Sequence, residues 1–150
     1  MLTTVPGERA ALALATYNNT APDDMLTLTT GDRIRYGTAA LQSATGARPF
    51  TTHRQAARDF RALLADLFHL TSGRITAAHL WLAAREIREG RPGVEHSVTV
   101  LRAVEVDQCA ALLAALVDAA EAHGVDPDEL FVAARALFAA EVELSERTAA

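Results

Sequence analysis

Lysine is absent from this chain: all 14 basic residues are arginine. With the heavy alanine usage, this points to GC-rich coding, and to a high-GC bacterium, its plasmid or its phage, rather than to a chemical need for guanidinium. Cysteine is almost absent too. Cys109 alone rules out a disulfide within the chain, and its place in an apolar stripe makes it a small buried hydrophobe rather than a reactive thiol. A reducing cytoplasm is the expected compartment. Long apolar runs are also missing, because Asp, Glu, Arg or His interrupts each window before the roughly 18 residues that a membrane helix needs. No basic-then-apolar leader opens the chain, so neither export nor insertion is expected.

The usual chemical signatures are lacking as well. There is no glycine-rich phosphate loop, no His-Glu-x-x-His, no Gly-x-Ser-x-Gly and no cysteine cluster with zinc spacing. Glu86 and Glu89 are the one acidic pair in the middle of the chain that could approach Mg²⁺. Arg85 and Arg88 sit among them, so they read as a solvated face of mixed charge. His69 and His123 have no evident partners. The sequence therefore assigns no catalytic residue, no metal ligand and no cofactor, and it leans away from an enzyme.

What the chain does have is helical punctuation. Cys109, Leu112, Leu113, Leu116 and Val117 recur at the i, i+3, i+4, i+7, i+8 spacing of one helix face. Gly124 can take the left-handed conformation that ends such a helix, and Asp126, Pro127 and Glu129 then fall at N-cap, N1 and N3 of the next. Val125 and Leu130 form a hydrophobic staple. Leu130, Phe131, Ala134, Leu137 and Phe138 continue the second stripe, which predicts an antiparallel pair of helices.

The same unit is found about 50 residues earlier. A shift of 49 lays Phe60, Leu63, Leu64, Leu67 and Phe68 on the first stripe. A shift of 50 lays Ile75, Thr76, Leu80, Trp81, Ala84, Arg85 and Ile87 on Val125, Asp126, Leu130, Phe131, Ala134, Arg135 and Leu137. We read an internal repeat. The expected fold is all-α, one helical domain over 1–150: an N-terminal helical segment 1–45, a first hairpin 46–89 and a second hairpin 90–147. With 150 residues, half of them apolar, the chain can bury a sizeable core.

Within that plan, Glu8 to about Tyr17 is a short helix, and Asp24 to Ala44 is a second one capped at Asp23-Asp24. Its rival is a hairpin of Leu26–Leu28 and Ile34–Tyr36. Later helices are expected from Phe50-Thr51-Thr52 to Thr71 and from Ala77 to Glu89. The second unit's long helix is extended back to Ser97, against a strand reading of 98–106, and Glu105 then falls on its apolar stripe. The tail from Glu141 is expected to fray.

Charge is uneven. Residues 1–47 carry three arginines against four acids, 48–102 nine against five, and 103–150 two against ten. Arg54, Arg58 and Arg61 lie at i, i+4, i+7 on the side of their helix away from the apolar stripe. They form a basic row able to meet phosphates, or to pair with the acidic second unit. Val100 and Val104 project opposite to the Cys109 stripe, beside Ala111 and Ala115. A contact with another chain is expected there, unless the N-terminal helix covers them. The leading expectation is a non-enzymatic regulatory or adaptor protein that binds a protein partner or itself, as a homodimer. The alternative is a nucleic-acid-binding regulator using the arginine row.

One further pattern recurs: Arg48/His53, Arg74/His79 and Arg91/His96, each an arginine followed five positions later by histidine. The spacing resembles that of HEPN-type ribonucleases. The resemblance implies an arginine that holds phosphate and a histidine that moves a proton. Here Pro49, Ile75 and Pro92 follow the arginines, where that family tends to place a polar residue.

Overall fold

Short polar side chains set where the helices begin. Thr52 accepts a hydrogen bond from the Gln55 amide at 3.0 Å, Thr76 from His79 at 3.1 Å, and Asp126 from Glu129 at 2.9 Å. Each satisfies a donor that a helix start would leave orphaned. The computed structural model describes residues 7–20, 28–46, 52–89 and 104–149, with side chains at 7–20, 28–46, 52–89 and 108–147. Among the described residues six helices follow in order: α1 Glu8–Thr20, α2 Thr30–Thr45, α3 His53–Thr71, α4 Ala77–Arg88, α5 Val104–Ala122 and α6 Pro127–Ala149. No strand occurs among the described residues, so the fold is an all-α helical bundle.

Helix α5 is its centre. Every residue from Cys109 to Ala120 is buried. The sequence reading gave this helix one core side; instead it is enclosed all round, as expected of a helix whose turns carry small apolar residues on every face. The N-terminal helices cover the second side. Helix α2 runs so close that a Cβ on Gly37 would lie 2.2 Å from the Ala115 carbonyl oxygen. Gly37 is what lets α2 approach the α5 backbone.

The start of α2 also differs. Leu28 and Thr29 precede the helix, and Thr29 forms a capping box with Asp32: the Asp32 amide donates to Thr29 Oγ1 at 3.1 Å, and the Thr29 amide to the Asp32 carboxylate at 3.1 Å. The reciprocal pair satisfies two backbone donors at once and so sets the start of α2. Residues 24–27 lie outside the described residues, whereas Ile34–Tyr36 are helical and the strand alternative fails there.

The stripes and the turn signal read in the two units are seen locally. All ten stripe positions are buried, Gly124 has φ 84°, and Val125 and Leu130 are buried as a staple. Their arms, however, do not close on each other as hairpins. Helix α3 packs along α6 and α4 along α5, while α5 and α6 meet only near their turn. Apolar stripes state which face is covered but not which helix covers it. Phe68 meets the edges of Phe131 and Phe138 at 6.2 and 6.1 Å, and Trp81 stacks on Phe131 at 4.5 Å.

The helical reading of 104–106 holds, and one further boundary is corrected. The second unit's long helix is described from Val104, so Val104-Glu105-Val106 is helix and not strand; residues 97–103 lie outside the described residues, as does the Glu105 side chain. At the C-terminus, α6 continues to Ala149 instead of fraying at Glu141. Arg147 pairs with Glu143 one turn back at 2.6 Å, and His69 of α3 lies 3.4 Å from Glu141, which ties this end of the helix down.

Candidate functional site

Arg54, Arg58 and Arg61 stand on the outer face of α3, all three exposed. That face is free because Phe60, Leu63, Leu64 and Leu67 take the opposite one into the core. They flank a groove of about 410 Å³ that runs to Gly124, Val125 and the first turns of α6. None of the three makes an ion pair among the described residues. Among the described residues the expected pairing with the acidic second unit is therefore not made, although Asp126 and Glu129 line the groove's other side.

Val100 is outside the described residues, and Val104 opens α5 with its side chain outside them. Their neighbours Ala111 and Ala115 are buried at 2% and 0% exposure, with α2 packed on Ala115. That stretch of the helix is covered from within the chain.

Of the three Arg-x4-His pairs, only Arg74/His79 falls wholly within the described residues. His79 Nδ1 lies 2.9 Å from the hydroxyl of the capping Thr76, and its own amide donates to that hydroxyl. The side chain serves the start of α4. His53 Nδ1 lies 3.3 Å from the His123 carbonyl. Among the described residues no group of three or more His, Cys, Asp or Glu is arranged to hold a metal ion.

Two features escaped the sequence reading. The first is a buried charge network. Asp118 of α5 is 4% exposed and accepts from Arg33 Nε at 2.5 Å and from Arg88 Nε at 2.7 Å. Arg33 also donates to the Leu28 carbonyl at 2.9 Å, and the carbonyl of Arg88 lies 3.4 Å from its Nη2. Glu86, Glu89, Arg85 and Arg88, expected to form one mixed face, thus divide: Arg85 pairs with Glu89 at the surface, and Arg88 turns inward. The network ties α2, α4 and α5 together at the floor of a cleft of about 490 Å³ beside Trp81, Glu121 and Asp128. A signal was present, since Asp118 interrupts an otherwise apolar run and must be compensated if buried.

The second feature is the outer face of α6. With Leu130, Ala134 and Phe138 turned to the core, Val132 and Leu144 are left 68% and 62% exposed, and the Ala136, Ala139 and Ala140 between them are exposed too. These residues repeat every turn and make an apolar ridge three turns long. No helix of the structure is long and apolar enough to cross a membrane among the described residues, so the ridge does not belong to a spanning segment.

No protein family matches the chain, and neither a curated protein nor a solved structure matches it.

Proposed function

We propose that the chain is a non-enzymatic regulatory or adaptor protein that acts through helix-mediated protein contact, as a homodimer. The observation that carries this reading is the α6 ridge. Large aliphatic side chains more than half exposed on the outer side of one helix, with exposed alanines between them, leave apolar area in water that a helix from another chain can remove. Burying such area contributes about 25 cal/mol per Å². The proposed contact thus moves from the Val100/Val104 row to Val132 and Leu144. Sedimentation equilibrium tests it: the wild type should associate reversibly, and V132E with L144E should weaken association while far-UV helicity is kept.

A second reading, nucleic-acid binding, draws on the unpaired arginines of α3. Residues at i, i+4 and i+7 span about 10 Å along a helix, enough to meet two successive phosphates. Asp126 and Glu129 across the groove oppose a polyanion lying in it, which is why this reading ranks second. Replacing Arg54, Arg58 and Arg61 by Gln separates the two. An adaptor keeps its association; a nucleic-acid binder loses affinity and shows a shallower salt dependence.

A further inference from the structure

The groove between α3 and α6 carries opposite charges on its two rims, and the chain does not bring them together. Arg54, Arg58 and Arg61 fall within about 60° of arc on α3. All three are exposed and without an ion pair among the described residues. On the other rim Asp126 accepts from the Glu129 amide at 2.9 Å and caps α6. The exposed Glu129 carboxylate makes no ion pair among the described residues. About 410 Å³ of space holds the two signs of charge apart.

The floor of this groove is apolar and small. Half-buried Ala57 lies on the flank of the arginine row that faces the groove. Half-buried Ala133 lies between the Glu129 rim and the buried Leu130. Helices α3 and α6 run side by side in the same direction, with His53 3.3 Å from the His123 carbonyl at one end and His69 3.4 Å from Glu141 at the other. A trough between two such helices can seat a third, and alanines along it let the third backbone come close. The arginine row stops at Ala65, one turn beyond Arg61 on the same line and 1% exposed, so about two to three turns of helix find contact.

We infer that this groove receives a helix of a partner protein that carries acids on the edge lying along α3 and a base on the edge lying along α6. Acids three or four residues apart match the i, i+4, i+7 spacing of the arginines, as flanking charges do where helices pack side by side. The partner's apolar stripe covers Ala57, Ala133 and Leu130. The inference rests on the reading that the chain acts through helix-mediated protein contact, but not on the homodimer: it names a second contact, with a different partner. A nucleic acid suits the groove less well. Its phosphates would satisfy the arginines but also approach Asp126 and Glu129, and they offer nothing to the apolar floor.

Stapled helical peptides of about 14 residues, long enough to hold the fold of a helix, serve as probes. The first has leucine and alanine along its stripe, Glu at i, i+4 and i+7 on one edge and Arg on the other; the second has Glu on both edges; the third is the first in scrambled order. By fluorescence anisotropy at low salt, the first should bind about tenfold or more tighter than the third, and severalfold tighter than the second. Replacing Arg54, Arg58 and Arg61 by Gln should weaken the first about tenfold, and salt should weaken it in the wild type. E129R should reverse the preference, making the peptide with Glu on both edges the tighter one, and that gain also shows the variant to be folded. Binding of the first peptide no better than the scrambled one, or an unchanged preference in E129R, overturns the inference. So does a single-stranded RNA of similar length that binds tighter than the first peptide and is lost with the three arginines. Sedimentation of the wild type reports self-association separately: a monomer that binds the first peptide overturns the homodimer and leaves the groove's assignment standing.

Discussion

Gly37 of α2 lies against the main chain of Ala115 in α5, so near that an added Cβ would be 2.2 Å from the carbonyl oxygen and 2.5 Å from the carbonyl carbon. Backbone on both sides leaves no flexible group to yield. In an open helix, Gly→Ala gains about 0.5–1 kcal/mol. Here G37A should lower stability by about 1–3 kcal/mol, as overpacking does. Gly31, whose added Cβ would meet only Thr29 Oγ1 at 3.8 Å, is the control: G31A should be neutral or stabilising. Urea midpoints of the two variants check the contrast.

Asp118 holds two arginines, and removing it strands them unequally. D118A leaves Arg33, 7% exposed, as a buried charge without its carboxylate, while Arg88 at 21% can turn toward Glu121 or water. Breaking a buried pair from one side costs about 3–5 kcal/mol. R88Q should cost clearly less than D118A. Equal losses by chemical denaturation would mean that Arg88, not Arg33, is the partner that matters.

Asp66 of α3 reaches across the bundle to the start of α1, where its two oxygens accept from the amides of Gly7 at 2.8 Å and Ala10 at 2.9 Å. It acts as an N-cap supplied from another helix. D66A should cost about 0.5–2 kcal/mol, as for other caps. Hydrogen exchange should rise first at Gly7 and Ala10, before the amides of α5; uniform acceleration would contradict a local role.

Two groups have displaced pKa values. The Thr29 amide, then the Thr29 hydroxyl, hold the Asp32 carboxyl below its ordinary range. A depressed carboxyl pKa stabilises the fold above the unfolded value, and the contribution is lost as pH falls through the folded one. Burial raises the Tyr17 phenol, partly countered by Arg33. A raised pKa favours the fold below the unfolded value and is lost as pH rises through the folded one. T29A removes the hydroxyl but keeps the amide, so it should move the Asp32 titration, followed by carbon NMR, only part of the way back toward that of a free aspartate.

Much of the fold was legible wherever the determining atoms are close in sequence. Gly124, Val125, Asp126 and Leu130 act within seven residues, and each does what its type dictates. The five-position stripes of α3 and α5 were readable for the same reason. What the local pattern leaves open is the identity of the partner. Leu63 says that its face is covered, but not that α6 covers the neighbouring one. Nor does periodicity show that α5 needs cover on every side, because Ala111 and Ala115 read equally well as surface or core. The start of α2 was misplaced because Asp23-Asp24 and Thr29-x-x-Asp32 are both acceptable caps by composition, and only reciprocal hydrogen bonding separates them. Of the candidate surfaces, the arginine row was found since it opposes a clear stripe. The α6 ridge was overlooked although Val132 and Leu144 fall off the Leu130/Ala134/Phe138 line and could have been marked as apolar residues without a place in the core.

The cross-pairing of helices also sets a schedule for the chain as it is made. Helix α3 has its stripe complete by Thr71, yet the aromatic residues that cap Phe68 are Phe131 and Phe138. At about 5–20 residues per second, that face waits several seconds on the ribosome for its cover. Helix α4 waits less, because α5, which packs along it, begins at Val104. A nascent chain halted after α5 would thus hold its central helix while presenting Phe68 to whatever is near. Chaperone capture during synthesis should concentrate on α3, and truncation within α6 should cost solubility before it costs helix content.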